Sequence, residues 1–158
     1  MALRDSPLFE EWITRIDPNL FKGTLVGGLI TLQIQSSGAT VGMAIVLGKQ
    51  NLISVAGGLA ILLGSELGTC SDTLIATIKG SRQALKAGLF HLLFNFVTIA
   101  TGLLVFDYFL TLVVKVSQGQ DPDSQLANAH MIFTISGVLV FLPFLGWPAR
   151  LLNYWLKG

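Results

Sequence analysis

The sequence is short of charge. Of 158 residues only 12% are Asp, Glu, Lys or Arg, while 52% are hydrophobic; an ordinary soluble domain carries about 25% charged residues. No charged residue occurs in 23–48, 50–65, 87–106 or 124–149. The first and last of these gaps are 26 residues long, and apolar runs of roughly 18 or more read as membrane segments. This shortage excludes a soluble globular domain and a disordered chain. Cysteine is almost absent as well: Cys70 stands alone, which excludes a disulfide scaffold. One Cys and two His far apart give no zinc-binding spacing, so no metal site is expected. The net charge of +1 includes no basic cluster, which speaks against nucleic-acid binding. There is no GxSxG, no phosphate loop and no H-E-x-x-H, so neither an enzyme nor a bound organic cofactor is expected.

What is present reads as one all-α integral membrane domain over residues 1–158. Residues 1–17 predict an amphipathic helix. Ser6 and Pro7 form its start, Leu8, Phe9, Trp12, Ile13 and Ile16 share one face, and Glu10, Glu11, Thr14 and Arg15 share the other. Such a helix lies at the bilayer surface or packs on another protein. Charges interrupt residues 1–22 too often for a cleaved leader, so Met1 is read as the start.

Residues 18–49 contain six glycines and a polar centre, Gln33, Gln35, Ser36, Ser37 and Thr40. A continuous helix over the uncharged stretch would be about 39 Å long, enough to cross with tilt. Two half-helices of about 18 Å would reach mid-membrane and return, and the polar centre favours this re-entrant hairpin. Residues 50–79 repeat the design: an apolar run meets Gly64, Ser65, Glu66, Gly68, Thr69, Ser71, Asp72 and Thr73, which predicts a broken membrane helix. Each bare carboxylate there costs roughly 2.5–3.5 kcal/mol at a helix centre, so Glu66 and Asp72 must be neutralised, paired or used. Two spanning helices follow at 87–114 and 125–146, with a solvent loop between them and a surface tail at 149–158. All five Trp and Tyr residues fall near the expected interfaces.

Paired uncharged segments with polar, Gly-rich breaks point to a midplane binding site in a secondary transporter. N–H groups at a half-helix start attract an anion, while carbonyls and hydroxyls suit a small cation. The other reading is that these small polar residues only hold helices together. His91 and Asn95, four apart, predict a hydrogen-bonding pair rather than a proton relay.

Three segments in order, Gln35-Ser36-Ser37-Gly38-Ala39-Thr40, Gly64-Ser65-Glu66-Leu67-Gly68-Thr69 and Ala87-Gly88-Leu89-Phe90-His91-Leu92-Leu93-Phe94-Asn95, resemble one repeat of a sodium-dependent phosphate cotransporter. Ala129-His130-Met131-Ile132-Phe133 and Phe141-Leu142-Pro143-Phe144 extend the resemblance. It implies two repeats inverted in the membrane, each giving a re-entrant hairpin to a central site for phosphate and Na+. It implies substrate contacts for Gln35, Ser36, Ser37 and Thr69, and a bacterial-type inner or plasma membrane; Thr40, a hydroxyl at the same polar break, is the further substrate-binding candidate. Ser65, Glu66 and Asp72 are the candidates for ion binding or coupling. This chain departs from the pattern at Gly38, Glu66, Asp72 and Thr134, where the family has Ser, Asn, a hydroxyl residue and Asn. Negative charge beside a phosphate site needs a compensating Na+ or proton.

The sequence holds one repeat, so the second comes from an inverted copy of the chain or from another chain. If 18–49 is re-entrant, Arg4, Arg15, Lys22, Lys49 and Lys115 share one side, and Lys79, Arg82, Lys86, Arg150 and Lys157 share the other. A balance of five against five leaves orientation undecided. The expected function is ion-coupled transport of phosphate or a similar anion by an inverted homodimer. The alternative is a non-transporting structural or regulatory subunit of a larger membrane assembly.

Overall fold

Asn19 sets the start of the first helix: its side chain accepts the Lys22 N–H at 2.9 Å, the usual cap for an exposed first-turn donor. This is a computed structural model, and it describes residues 11, 17, 19–77, 80–144 and 146. The expected surface helix at 1–17 and the tail at 149–158 lie outside the described residues, apart from Glu11 and Asp17. Helix α1 (Leu20–Ile34) ends at Gln35, and α2 (Ser37–Lys49) begins after Ser36. Helix α3 (Val55–Thr77), α4 (Arg82–Leu104), α5 (Phe106–Val116) and α6 (Pro122–Phe141) follow, with a 3-10 turn at Leu142–Phe144. Among the described residues all regular structure is helical.

Helix α3 is the hub, and its faces divide its neighbours. Its Gly57, Ala60, Ile61, Gly64 and Gly68 meet Gly23, Gly27, Gly28 and Thr31 of α1 and the Asp17 carboxylate. The contacts rise together in number on both helices, so α1 and α3 run parallel. Small residues let the backbones approach: a Cβ on Gly27 would fall on the Ile61 carbonyl, and one on Gly64 on the Thr24 carbonyl. Helix α2 returns beside α3 in the opposite sense. Its Thr40 is tied to Thr31 near one end, Ala44 packs with Ile61, and Gly48 reaches the side chain of Leu126, as does Gly58. A second face of α3, Leu59, Leu62 and Leu63, forms the main core with Val41 of α2, Val113 of α5 and Ala129 and Phe133 of α6. The third face meets α4, where Thr73 and Thr77 pack against Gly88.

Ser54 anchors the start of α3. Its N–H and hydroxyl both donate to Asp17 Oδ1 at 2.9 Å, and its Oγ accepts the Gly57 N–H at 3.0 Å. Ser81 caps α4 by accepting the Ala84 N–H at 3.2 Å. The outer faces stay apolar, with Phe21, Leu25 and Leu29 exposed along α1 and Leu139 and Val140 on α6. Helices α4 and α6 are long and apolar enough to cross a membrane. Helices α1 and α2, of 15 and 13 residues, reach only about 22 and 20 Å, short of a hydrocarbon core of about 30 Å.

Two expectations are corrected. The break anticipated within residues 50–79 is absent, because α3 runs continuously from Val55 to Thr77. Its Gly64 and Gly68 serve close packing on α1, and Ser65, Thr69 and Ser71 donate to carbonyls of the same helix. The span anticipated at 87–114 is two helices, divided at Val105. The turn lets Phe106, Phe109, Leu110 and Val113 face the core; a straight continuation of α4 would carry them away from it.

Candidate functional site

The α1–α2 turn is two residues long and follows from local chemistry. Gln35 sits in the left-handed region at φ 59°, and its N–H donates to Thr31 O at 2.6 Å, which closes α1. Ser36 is extended and its Oγ accepts the Ala39 N–H at 3.2 Å, opening α2. The Ser37 and Gly38 N–H groups, at the first positions of α2, have no acceptor inside the helix. Gln35, Ser36 and Gly38 are exposed and Ser37 is half-buried. The turn therefore presents an amide, two hydroxyls and a helix N-terminus together, the donor set that attracts an anion.

Thr40 lies beneath this turn rather than on its surface. It is fully buried, its Oγ1 accepts from the Thr31 hydroxyl at 2.7 Å and donates to Ser36 O at 3.3 Å. It braces the neck of the hairpin. Thr31, which the sequence reading passed over, is its partner, and packs against Gly68 of α3. The neck thus stands level with Thr69.

The α3 residues divide between faces. Ser65 is buried and donates to Leu62 O at 2.7 Å. Thr69 is half-buried and donates to Ser65 O at 3.1 Å. Ser71 donates to Gly68 O. These bonds keep the hydroxyls on their own helix. Asp72 belongs to α3, and its side chain lies outside the described residues.

Glu66 enters a separate polar cluster. It lines a cavity of about 70 Å³ between α3, α4 and α6, with Phe94, Asn95, Thr98, Phe133 and Thr134 among its walls. Asn95 Nδ2 donates to Glu66 O at 3.2 Å and lies 3.2 Å from His91 Nε2. The expected His91–Asn95 pair is present. The carbonyl contact orients the amide with its NH2 group toward His91, so Nε2 accepts. Nδ1 then carries the proton and donates to Thr73 Oγ1 at 2.9 Å. His130 Nδ1 is buried and has no hydrogen-bond partner. Neighbouring Asn128 turns elsewhere, donating to Ser117 Oγ and Gln120 Oε1.

Comparison with known families decides the lineage: the family model described as Na+/Pi-cotransporter matches residues 5–135. The chain belongs to the Na+/Pi-cotransporter family. The matched span contains the α1–α2 turn, Glu66, His91 and His130. With two helices able to cross a bilayer, a member of this transporter family is a membrane protein. The chain is also similar to "Uncharacterized protein YqeW" of Bacillus subtilis (strain 168), at 25% identity over 139 residues. That alignment covers 87% of this chain and 44% of the relative, so the chain spans less than half of the relative's length. No solved structure matches.

Proposed function

We propose that the chain transports inorganic phosphate or a similar anion across the membrane, coupled to Na+ or H+, with the α1–α2 turn as the anion-facing tip of a re-entrant hairpin. One observation carries this reading. In the middle of a 26-residue uncharged stretch the helix stops at Gln35 and a new one starts after Ser36, in a chain of the Na+/Pi-cotransporter family. Gln35, Ser36 and Ser37 contact the anion directly. Thr40 holds the turn from below, and Thr69 stands beside the neck. Ser65, Glu66 and Asp72 belong to the ion-coupling side. The opposite half of the site comes from an inverted copy of the chain, which the balanced basic residues permit.

The test is uptake of radiolabelled phosphate into proteoliposomes holding the purified chain. Uptake that rises with an inward Na+ or H+ gradient is expected. No uptake above empty vesicles, with the chain inserted and folded, would reject transport and leave the subunit alternative. A C-terminal tag found on one membrane face only would reject the inverted homodimer.

A further inference from the structure

Thr31 spends its hydroxyl differently from most helical threonines of this chain. Thr24, Thr69, Thr98, Thr101 and Thr111 each donate to the carbonyl four residues back on their own helix, the ordinary use of a threonine inside a helix. Thr31 instead donates across the turn to Thr40 Oγ1 at 2.7 Å, and both residues are fully buried. We infer that Thr31 is a positioning residue of the α1–α2 turn, holding Ser36 and the start of α2 in the geometry that meets the anion. The inference rests on the transport reading and adds to it a residue that touches no substrate.

The bonds close a ring around the turn. Thr31 O accepts the Gln35 N–H at 2.6 Å. Gln35 leads directly to Ser36, whose carbonyl accepts from Thr40 Oγ1 at 3.3 Å, and Thr40 Oγ1 in turn accepts the Thr31 hydroxyl. One residue thus grips the turn at both ends, by its backbone where α1 stops and by its side chain where α2 starts. The Ser36 carbonyl opens the first turn of α2. Fixing it fixes the direction of the Ser37 and Gly38 N–H groups, which have no acceptor inside the helix.

Helix α3 decides which way the hydroxyl points. A Cβ on Gly68 would stand 2.5 Å from Thr31 Cβ and 2.8 Å from its Cγ2. The Thr31 methyl therefore lies on the bare backbone of Gly68, and Oγ1 is left facing α2. A branched Cβ has few other χ1 choices. The turn is held in place against α3 at the residue next to Thr69.

Stability alone does not call for this pair. Ser36 O also accepts the Thr40 N–H at 3.2 Å, so its backbone bond survives without the hydroxyl. Two valines would fill nearly the same space, and replacing both partners of a buried hydrogen bond by apolar groups of like shape is close to neutral or stabilising. What the hydroxyls add is a fixed geometry between the two arms of the hairpin.

The experiment joins hydrogen–deuterium exchange of the purified full chain in detergent, read over residues 35–40, to phosphate uptake into proteoliposomes. Thr31→Val keeps the shape and removes the donor. Exchange over the turn should quicken roughly three- to tenfold, the size of one such hydrogen bond, while exchange across α3 stays as in the wild type. Thr31→Ser restores the donor and should recover most of the change. In uptake, Thr31→Val should raise the KM for phosphate by a similar factor at unchanged maximal rate, with Thr31→Ser again recovering. If Thr31→Val does not fold, the double variant Thr31→Val with Thr40→Val, which leaves no unpaired hydroxyl, takes its place. Exchange unchanged in the folded valine variant, or a serine variant no better than valine, overturns the inference. So does a lowered maximal rate at unchanged KM, the mark of fewer working molecules rather than of a displaced turn. Exchange that responds as expected in a chain whose wild type takes up no phosphate leaves the brace standing and rejects the transport reading. Uptake by the wild type with exchange indifferent to Thr31 does the reverse.

Discussion

Gln35 and Gly38 occupy each other's natural places. Gln35 is left-handed at φ 59°, where a residue with a side chain loses about 1–2 kcal/mol and glycine loses almost nothing. Gly38 is inside α2 with open space around the position of a Cβ, where alanine would be worth up to about 1 kcal/mol. Selection for stability alone would reverse these two choices. Strain held at one exposed polar residue points to use of its side chain. Gln35→Gly should therefore raise stability by about 0.5–1 kcal/mol in thermal unfolding while abolishing phosphate uptake. Unchanged uptake would remove the Gln35 amide from the anion site. Gly38 also marks where this chain lacks a hydroxyl that the family resemblance leads one to expect, and nothing beside it blocks a serine.

At the scale of elements, glycine is ambiguous, and this sets how far the sequence could be read. Gln35 and Ser36 made the first break legible, because an exposed turn needs polar caps and Ser36 supplies one. The same reasoning misread α3. Gly64 and Gly68 resemble break residues, yet they are the flat surface on which α1 lies, a use visible only once the partner helix is in place. The division at Val105 has no glycine or proline within two residues on either side; it follows from where Phe106 and Val113 find the core. The cavity that Glu66 shares with Phe133 and Thr134 was illegible for another reason, since more than sixty positions separate them in the sequence and only the course of α3 beside α6 brings them together. The packing reading makes a contrast that unfolding in detergent can check. Gly64→Ala should cost about 1–3 kcal/mol, because its Cβ meets the Thr24 carbonyl and Gly28 backbone, which cannot turn aside. Gly42→Ala, with nothing near its Cβ, should be neutral or stabilising by up to about 1 kcal/mol. Equal responses would mean that α1 does not lie on α3 through glycine.

For the whole molecule, the proposed two-repeat site raises the question of where its second half comes from. Helices α1 and α2 are each shorter than a hydrocarbon core of about 30 Å, and on the proposed re-entrant path the hairpin returns its ends to the side it entered from. On that path the basic residues divide five against five, and Lys/Arg bias is what normally fixes orientation. On the proposed inverted-dimer reading a chain near this balance inserts both ways and meets its own inverted copy, whereas a single crossing by residues 23–48 would make the count eight against two and fix one orientation. Small changes in charge should then have large effects. Gln118 is exposed in the α5–α6 connection and Ser124 in the first turn of α6, and Gln118→Lys with Ser124→Lys makes the balance seven against five. Both substitutions lie away from the α1–α2 turn and the Glu66 cavity, so folding should be preserved. The expected outcome is a C-terminal tag shifted from both faces of the membrane toward one, with phosphate uptake falling as inverted partners become scarce. Coexpression with a chain carrying the opposite bias, Gln83→Lys with Ala87→Lys at exposed positions of the first turns of α4, should restore uptake by supplying the missing orientation. Full uptake from the biased chain alone, with its tag on one face, would show that a single orientation suffices, and the second half of the site would then have to come from another protein.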